Sequence, residues 1–140
     1  MNLEKEKQLF SKGYQLIAAI DEAGRGPLAG PVLSACVIID NTFEISPELL
    51  AVRDSKKLSA LRRQELFPLI KKSVRAAAIG MCDNNTIDRI NILQATLLSM
   101  NKALLATKLT PDIILIDGNY KIPKLKTPQE TIISGDDSVF

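Results

Sequence analysis

Acidic residues follow three separate apolar stretches of this 140-residue chain, and carboxylates in such positions can do chemistry. Asp21 and Glu22 come directly after "IAAI", Asp117 comes after "IILI", and Asp136 and Asp137 lie just beyond "ETII". A carboxylate is costly to bury unless a positive group meets it. The pattern therefore indicates that a positive group meets these acids. The candidates are a buried arginine, a helix N-terminus and a metal ion.

The available side chains narrow the kind of chemistry. The chain contains no histidine, which excludes a Ser-His or Cys-His catalytic pair and a histidine-ligated zinc site. Carboxylate oxygens suit hard divalent cations, so Mg²⁺ or Mn²⁺ is expected rather than zinc. Two such ions about 3.5–4 Å apart form the arrangement that displaces phosphodiesters. The alternative is that each acid is an ordinary solvated loop residue.

The elements that must position these acids can be read from the apolar periodicity. Ser59 can cap a helix over 60–72. A second helical section is predicted to begin near Asn84 and Asn85, and a broad apolar face marks its main body over 90–106. Short runs of apolar and β-branched residues predict strands at 14–20, 32–39, 74–81, within "DIILIDGN" and at "ETII". This order predicts one α/β domain over residues 1–140, with a mixed central sheet flanked by helices.

The ends of the strands are where such acids could meet, because ligands of open α/β sheets gather at the carboxyl ends of the strands. Adjacent residues of a regular strand point to opposite faces of the sheet. Asp21 and Glu22 can therefore share a site only if the strand breaks at the two acids. Ala23 and Gly24 are placed to allow that break, so we expect the first strand to end there.

Two polar loops carry candidate ligand contacts. In Gly24-Arg25-Gly26 the glycines allow close backbone approach to a ligand, and the planar arginine side chain can grip a phosphate. The alternative is a tight turn with a solvated arginine. In "DSKKL" Lys56 and Lys57 can meet a nucleic-acid backbone, and the alternative is a charged surface turn before the first capped helix.

The bulk properties permit a nucleic-acid partner without requiring one. The net charge is +2 and the pI is about 8.6, which is only mildly basic. The first residues lack the long apolar core of a secretory signal, and no stretch approaches the roughly 18 apolar residues of a membrane span. Two cysteines without metal-type spacing are typical of reduced thiols. We expect a cytoplasmic protein with no membrane partner.

Five segments occur in the order seen in bacterial ribonuclease HII: "DEAGRGPLAGPV", "DSKKLS", "IDRINILQATLLSM", "PDIILIDGN" and "ISGDDS". The chain resembles that family from Ile17 to its last residue. The resemblance implies a ribonuclease H-like fold and metal-dependent hydrolysis of the RNA strand of RNA–DNA hybrids, giving a 5′-phosphate and a 3′-hydroxyl. It also implies nicking of duplex DNA on the 5′ side of an embedded ribonucleotide.

The resemblance also assigns residues. Asp136 is favoured over Asp137, because the latter position varies in the family. The residues implied as catalytic carboxylates and ligands of two Mg²⁺ or Mn²⁺ ions are Asp21, Glu22, Asp117 and Asp136. Those implied in substrate binding are Gly24, Arg25 and Gly26, which resemble the loop that recognises the ribose 2′-OH, and Ser55, Lys56, Asn91 and Gln94, which resemble backbone contacts.

The chain departs from the family in one respect, since members of the family continue beyond the fourth acid and this sequence stops at Phe140. The resemblance therefore implies an N-terminal fragment of a protein that is monomeric at full length. Two functions follow: an endonuclease, or a truncated fragment that binds hybrids with little or no turnover. Cleavage of a duplex containing one ribonucleotide distinguishes them.

Overall fold

Five strands form one mixed sheet in the computed structural model, which describes residues 3–25, 30–50 and 58–132. In chain order the elements are α1 (Glu4–Ser11), β1 (Leu16–Ala23), β2 (Val32–Asp40), α2 (Ala60–Ser73), β3 (Ala76–Cys82), α3 (Asn84–Ala106), β4 (Ile113–Asp117) and β5 (Gln129–Ile132). The strand order across the sheet is β3-β2-β1-β4-β5. The predicted α/β architecture with a mixed sheet flanked by helices is confirmed.

The strand directions bring several chain ends to one side. β2 is antiparallel to β1 and β3, whereas β4 is parallel to β1 and β5 is parallel to β4. Consequently β1, β3, β4 and β5 all finish at the same end of the sheet. We call this end, which carries Asp21 and Asp117, the acid end. Since α3 follows β3 directly, α3 also begins at the acid end and runs back across the sheet.

One face of the sheet is covered by α3, whose apolar side chains pack on alternate residues of the central strands, among them Ile20, Ile38 and Ile116. The approach to β3 is very close at Gly80. A Cβ atom placed there would lie 2.0 Å from the carbonyl oxygen of Ser99 and 2.4 Å from the amide nitrogen of Ala103. Only a glycine lets the helix backbone pack this tightly.

The opposite face is covered away from the acid end. Leu9 of α1 packs there with Ile17, Ile39, Val74 and Ile113. The sequence analysis did not predict α1, which has only eight residues. So short a helix is marginal in isolation, and its stability comes from this packing and from an ion pair between Lys5 and Glu130 of β5.

Two helix starts follow their capping residues. Ser59 accepts a hydrogen bond from the Arg62 amide at 3.1 Å, which confirms the predicted cap. Asp83 accepts one from the Thr86 amide at 2.9 Å, and α3 begins at Asn84, which confirms the predicted start near Asn84 and Asn85. None of the helices in the described residues is both long and apolar enough to cross a membrane.

Candidate metal centre

Asp21 and Asp117 lie at the same level on two neighbouring strands. β1 and β4 are parallel, with Ile20 opposite Ile116, and each acid is the next residue along its strand. Both acids therefore point to the face of the sheet opposite α3. Neighbouring strands are about 4.8 Å apart, so the two acids start from adjacent backbone positions, as carboxylates that share a cation require. Asp21 is exposed and Asp117 is partly buried.

Glu22 departs from the expectation, because the predicted break at the two acids is wrong. β1 continues through both acids to Ala23, with Ala35 opposite Asp21 and Ser34 opposite Glu22. The reason is that β2 extends further than β4 at this end and supplies hydrogen-bonding partners for three more residues of β1. The regular strand directs Glu22 towards the face that carries α3, away from Asp21.

The strand ends instead at Ala23, and the next residue, Gly24, has a φ of +94°. A Cβ atom there would lie 2.6 Å from the carbonyl oxygen of Pro31, so the Pro31 backbone can come this close only because residue 24 is glycine. The prediction that Ala23 and Gly24 mark the break is right in position. It does not bring the two acids to one face.

Arg25 is paired with one of the predicted metal ligands. Its guanidinium nitrogen Nη1 lies 3.1 Å from Oε1 of Glu22, and the two side chains are 45% and 15% exposed. Partly exposed pairs of this kind contribute between about 0 and 1 kcal/mol to stability. The ion pair is therefore weak enough for Arg25 to leave Glu22 and bind another anion. While the pair is formed, Arg25 places a positive charge beside the Glu22 carboxylate.

Asn91 and Gln94 interact with each other on α3 near the acid end. Asn91 has φ 66° and ψ 165°, which interrupts the helix, and its Oδ1 accepts a hydrogen bond from the Gln94 amide at 3.0 Å. Asn91 therefore caps the second part of α3. The sequence contained the signal, since an asparagine followed three residues later by glutamine is a capping-box pattern.

Cys36 does not compete as a reactive group. Cys36 and Cys82 are free and buried, and burial raises the pKa of the Cys36 thiol to about 12. A thiol with such a pKa holds its proton at neutral pH and is a poor nucleophile or ligand. The Cys36 thiol is therefore not a candidate for the chemistry at this end of the sheet.

Several predicted residues lie outside the described part of the chain: Gly26, Ser55, Lys56 and Asp136. Within residues 3–25, 30–50 and 58–132, no three acidic or cysteine side chains are grouped closely enough to hold a metal ion. Asp21 and Asp117 suit a hard cation by donor type and by shared face. A complete ligand set from this chain requires a carboxylate beyond these two, and Asp136 is the predicted one.

Comparison with known proteins gives one consistent answer. The family model described as Ribonuclease HII matches residues 18–139. Ribonuclease HII of Caldicellulosiruptor saccharolyticus is 50% identical over 95% of this chain and 62% of its own length. Ribonuclease HII of Geotalea uraniireducens is 52% identical over 96% of this chain and 60% of its own length. The chain thus spans about 60% of the length of these curated relatives.

Solved structures agree on the fold. Ribonuclease H2 from Pyrococcus horikoshii superposes with a TM-score of 0.73 at 22% identity, covering 87% of this chain and 64% of the other. Bst-RNase HIII in complex with Mn²⁺ gives a TM-score of 0.70 at 21% identity, covering 87% of this chain and 46% of the other. The ribonuclease H-like fold predicted from the sequence is confirmed.

Proposed function

The chain belongs to the ribonuclease HII family, and we propose that it is a metal-dependent endonuclease acting in the cytoplasm on the RNA strand of RNA–DNA hybrids. It also nicks duplex DNA on the 5′ side of an embedded ribonucleotide. The observation that carries this proposal is the register of β1 and β4, with Ile20 opposite Ile116. In that register Asp21 and Asp117 lie beside each other on neighbouring strands and point to the same face of the sheet.

The metal ligands in this proposal are Asp21 and Asp117 on one face of the sheet together with Asp136, and the ions are Mg²⁺ or Mn²⁺. Glu22, which the regular strand directs to the other face, is kept as a ligand in the proposal on the family membership alone. The structural relative that was solved with Mn²⁺ supports the choice of cation. Bound divalent ions supply activation of the attacking water and charge stabilisation at the leaving oxygen. The carboxylates hold the ions in place, and their mutual repulsion is offset by the charge of the ions.

Substrate recognition is assigned to residues around this end of the sheet. Arg25 exchanges Glu22 for the ribose–phosphate at the RNA-to-DNA junction, because its present ion pair is partly exposed and weak. Gly24, with its positive φ, lets the loop backbone come close to the ribose 2′-OH, which distinguishes RNA from DNA. The remaining substrate contacts in the proposal are Gly26, Ser55, Lys56, Asn91 and Gln94.

The second candidate is a fragment that binds hybrids with little or no turnover. It is favoured by one observation, that the chain spans about 60% of the length of its curated relatives. Residues outside this chain then complete the substrate-binding surface, and the full-length protein acts as a monomer.

The two candidates are separated by incubating the 140-residue chain with a labelled duplex that contains one ribonucleotide. An endonuclease nicks this duplex in Mg²⁺ or Mn²⁺, leaves the all-DNA duplex intact and is stopped by a chelator. A fragment without turnover retards the labelled duplex in a binding assay and leaves it uncut. Cleavage that survives chelation, or equal cleavage of the all-DNA duplex, contradicts the proposed function.

A further inference from the structure

We propose that β3 is a dimerisation edge, at which the 140-residue chain pairs with a second copy of itself to form one continuous sheet. β3 is the outermost strand in the order β3-β2-β1-β4-β5. β2 separates it from the strands that carry Asp21 and Asp117, so this pairing is independent of the proposed function. The monomer proposed above is the full-length protein, in which further residues can cover the same edge.

β3 lacks the features that usually keep an edge strand from pairing. Its seven residues, "AAAIGMC", include no charge and no proline. Native edge strands usually carry such residues, because open backbone groups otherwise recruit another strand. Ile79 is 57% exposed and Met81 is 51% exposed, and both lie on the face of the sheet opposite α3, since Gly80 between them faces the helix. Pairing with a second copy removes part of this apolar surface from water.

The backbone groups of alternate residues of β3 point away from β2. The Met81 carbonyl oxygen accepts a hydrogen bond from Lys102 Nζ of α3 at 3.0 Å, so it is directed to the outer side of the strand. Backbone groups alternate in direction along an antiparallel strand, and those of Ala77 and Ile79 are therefore also directed outwards. Lys102 is exposed, so its flexible side chain can return to water when another strand arrives.

An antiparallel pair of β3 strands that is centred on Ile79 uses all of these outward groups. In that register Ile79 lies opposite the partner's Ile79, and Ala77 lies opposite the partner's Met81. Each outward amide then meets an outward carbonyl oxygen. Centring the pair on another residue leaves part of these groups beyond the end of the facing strand. The two copies are related by a two-fold axis, as in most homodimers.

The charges beside β3 favour the same register and identify the occupant as a second copy of this chain. Arg75 directly precedes β3 and Asp83 directly follows it, and both residues are exposed. Ile79 is midway between them, so each Arg75 lies at the level of the partner's Asp83. The arginine side chain, which pairs with Asp40 at 3.2 Å, is 64% exposed. Such a pair is weak enough to be shared with a second acid, and opposite charges across two strands stabilise their pairing.

Two charge reversals test this register. Arg75→Glu alone places acids opposite each other at both ends of the strand pair, and Asp83→Lys alone places basic residues there. In an equimolar mixture of the two variants, each flanking position again faces the opposite charge. Arg62→Glu is the matched control, because it reverses an exposed arginine on α2 that also pairs with an acid. Sedimentation equilibrium measures association, and melting temperature shows that each protein is folded.

We expect the masses of wild type and Arg62→Glu to rise with concentration from 15.3 kDa towards twice that value. Arg75→Glu and Asp83→Lys should each dimerise about 5- to 20-fold more weakly, because repulsion replaces attraction in two cross-strand pairs. Their mixture should regain the association of the wild type. A wild type that stays monomeric at every concentration overturns the proposal. Equal association by all the proteins overturns it too, and so does a mixture that associates no better than its components.

If a reversed-charge variant does not fold, Ile79→Cys decides, because this side chain is exposed and its loss leaves no internal cavity. Hydrogen-bonded residues that face each other across antiparallel strands have Cα atoms about 5.5 Å apart, which a disulfide can bridge. Under oxidation Ile79→Cys should form a covalent dimer at least about tenfold faster than Leu61→Cys. Leu61, on α2, is 67% exposed and lies outside β3. Equal rates for the two variants overturn the proposal.

Discussion

Replacing Asn91 by glycine should leave the protein equally or more stable, whereas replacing it by alanine should destabilise it. Asn91 has φ 66° and ψ 165°, a region of backbone space that is essentially restricted to glycine and costs other residues about 1–3 kcal/mol. Its side chain offsets part of that cost by capping the following turn, with Oδ1 3.0 Å from the Gln94 amide. The two substitutions separate strain from capping.

The magnitudes follow from these two terms. Asn91→Gly relieves the strain of about 1–3 kcal/mol, loses a few tenths for the cap and loses about 0.5–1 kcal/mol through greater freedom of the unfolded chain. It should therefore range from unchanged to about 2 kcal/mol more stable. Asn91→Ala keeps the strained backbone and loses the cap, which costs about 1 kcal/mol.

The assay is denaturant unfolding of the three proteins, followed by binding to a labelled RNA–DNA hybrid. If Asn91 contacts the nucleic-acid backbone as proposed, both variants lose affinity to a similar degree although their stabilities differ. Wild-type affinity in Asn91→Gly would show that the residue only caps the helix. An Asn91→Gly protein that is less stable than Asn91→Ala would refute the account of backbone strain.

Three further perturbations have defined outcomes. Arg25→Ala should weaken cleavage at a single ribonucleotide by about 1–3 kcal/mol, while Arg62→Ala, which breaks a similar i,i+3 pair on α2, should leave cleavage unchanged in the same nicking assay. Gly80→Ala should lower the free energy of unfolding by about 1–3 kcal/mol or more, the range typical of overpacking, because the added Cβ would meet backbone atoms at 2.0 and 2.4 Å. Thermal unfolding measures this loss of stability. Two backbone hydrogen bonds lower the pKa of Asp112, so its contribution is present above the unfolded pKa of about 3.9 and is lost as the pH falls through the lower folded value. The stability gap between wild type and Asp112→Ala should therefore narrow in acid denaturation, and a constant gap would contradict the assignment.

The sequence predicted the strands around the candidate metal centre well because their apolar runs are unambiguous. The structure has β2 at the predicted stretch "VLSACVII" and β4 at "IILI". The predicted capping residue, Ser59, lies at the start of α2. The same patterns could not give the end of β1, since pairing with β2 carries that strand past its apolar run. For this reason the separation of Asp21 and Glu22 onto opposite faces was not foreseen.

Features that depend on distant parts of the chain were also missed. α1 is short and acquires its stability from packing on the sheet, so no local signal predicted it. Two hydrogen bonds join the side-chain amide of Gln129, in the edge strand β5, to the backbone of Ile122 in the preceding loop, and no spacing rule identifies such a pair. Asn91 is different, because its capping pattern with Gln94 was present in the sequence but lay inside a longer apolar periodicity.

The central claim is that carboxylates at the acid end hold divalent cations, and calorimetric titration with Mn²⁺ tests it most directly. The titration compares the wild-type chain with Asp21→Asn, Asp117→Asn and a control, Glu65→Gln, which removes an acid on α2 that pairs with Arg62. We predict that the wild type and the control bind Mn²⁺ alike and that both aspartate variants bind it at least about tenfold more weakly. Equal binding by all four proteins, or no binding by the wild type, would contradict the claim.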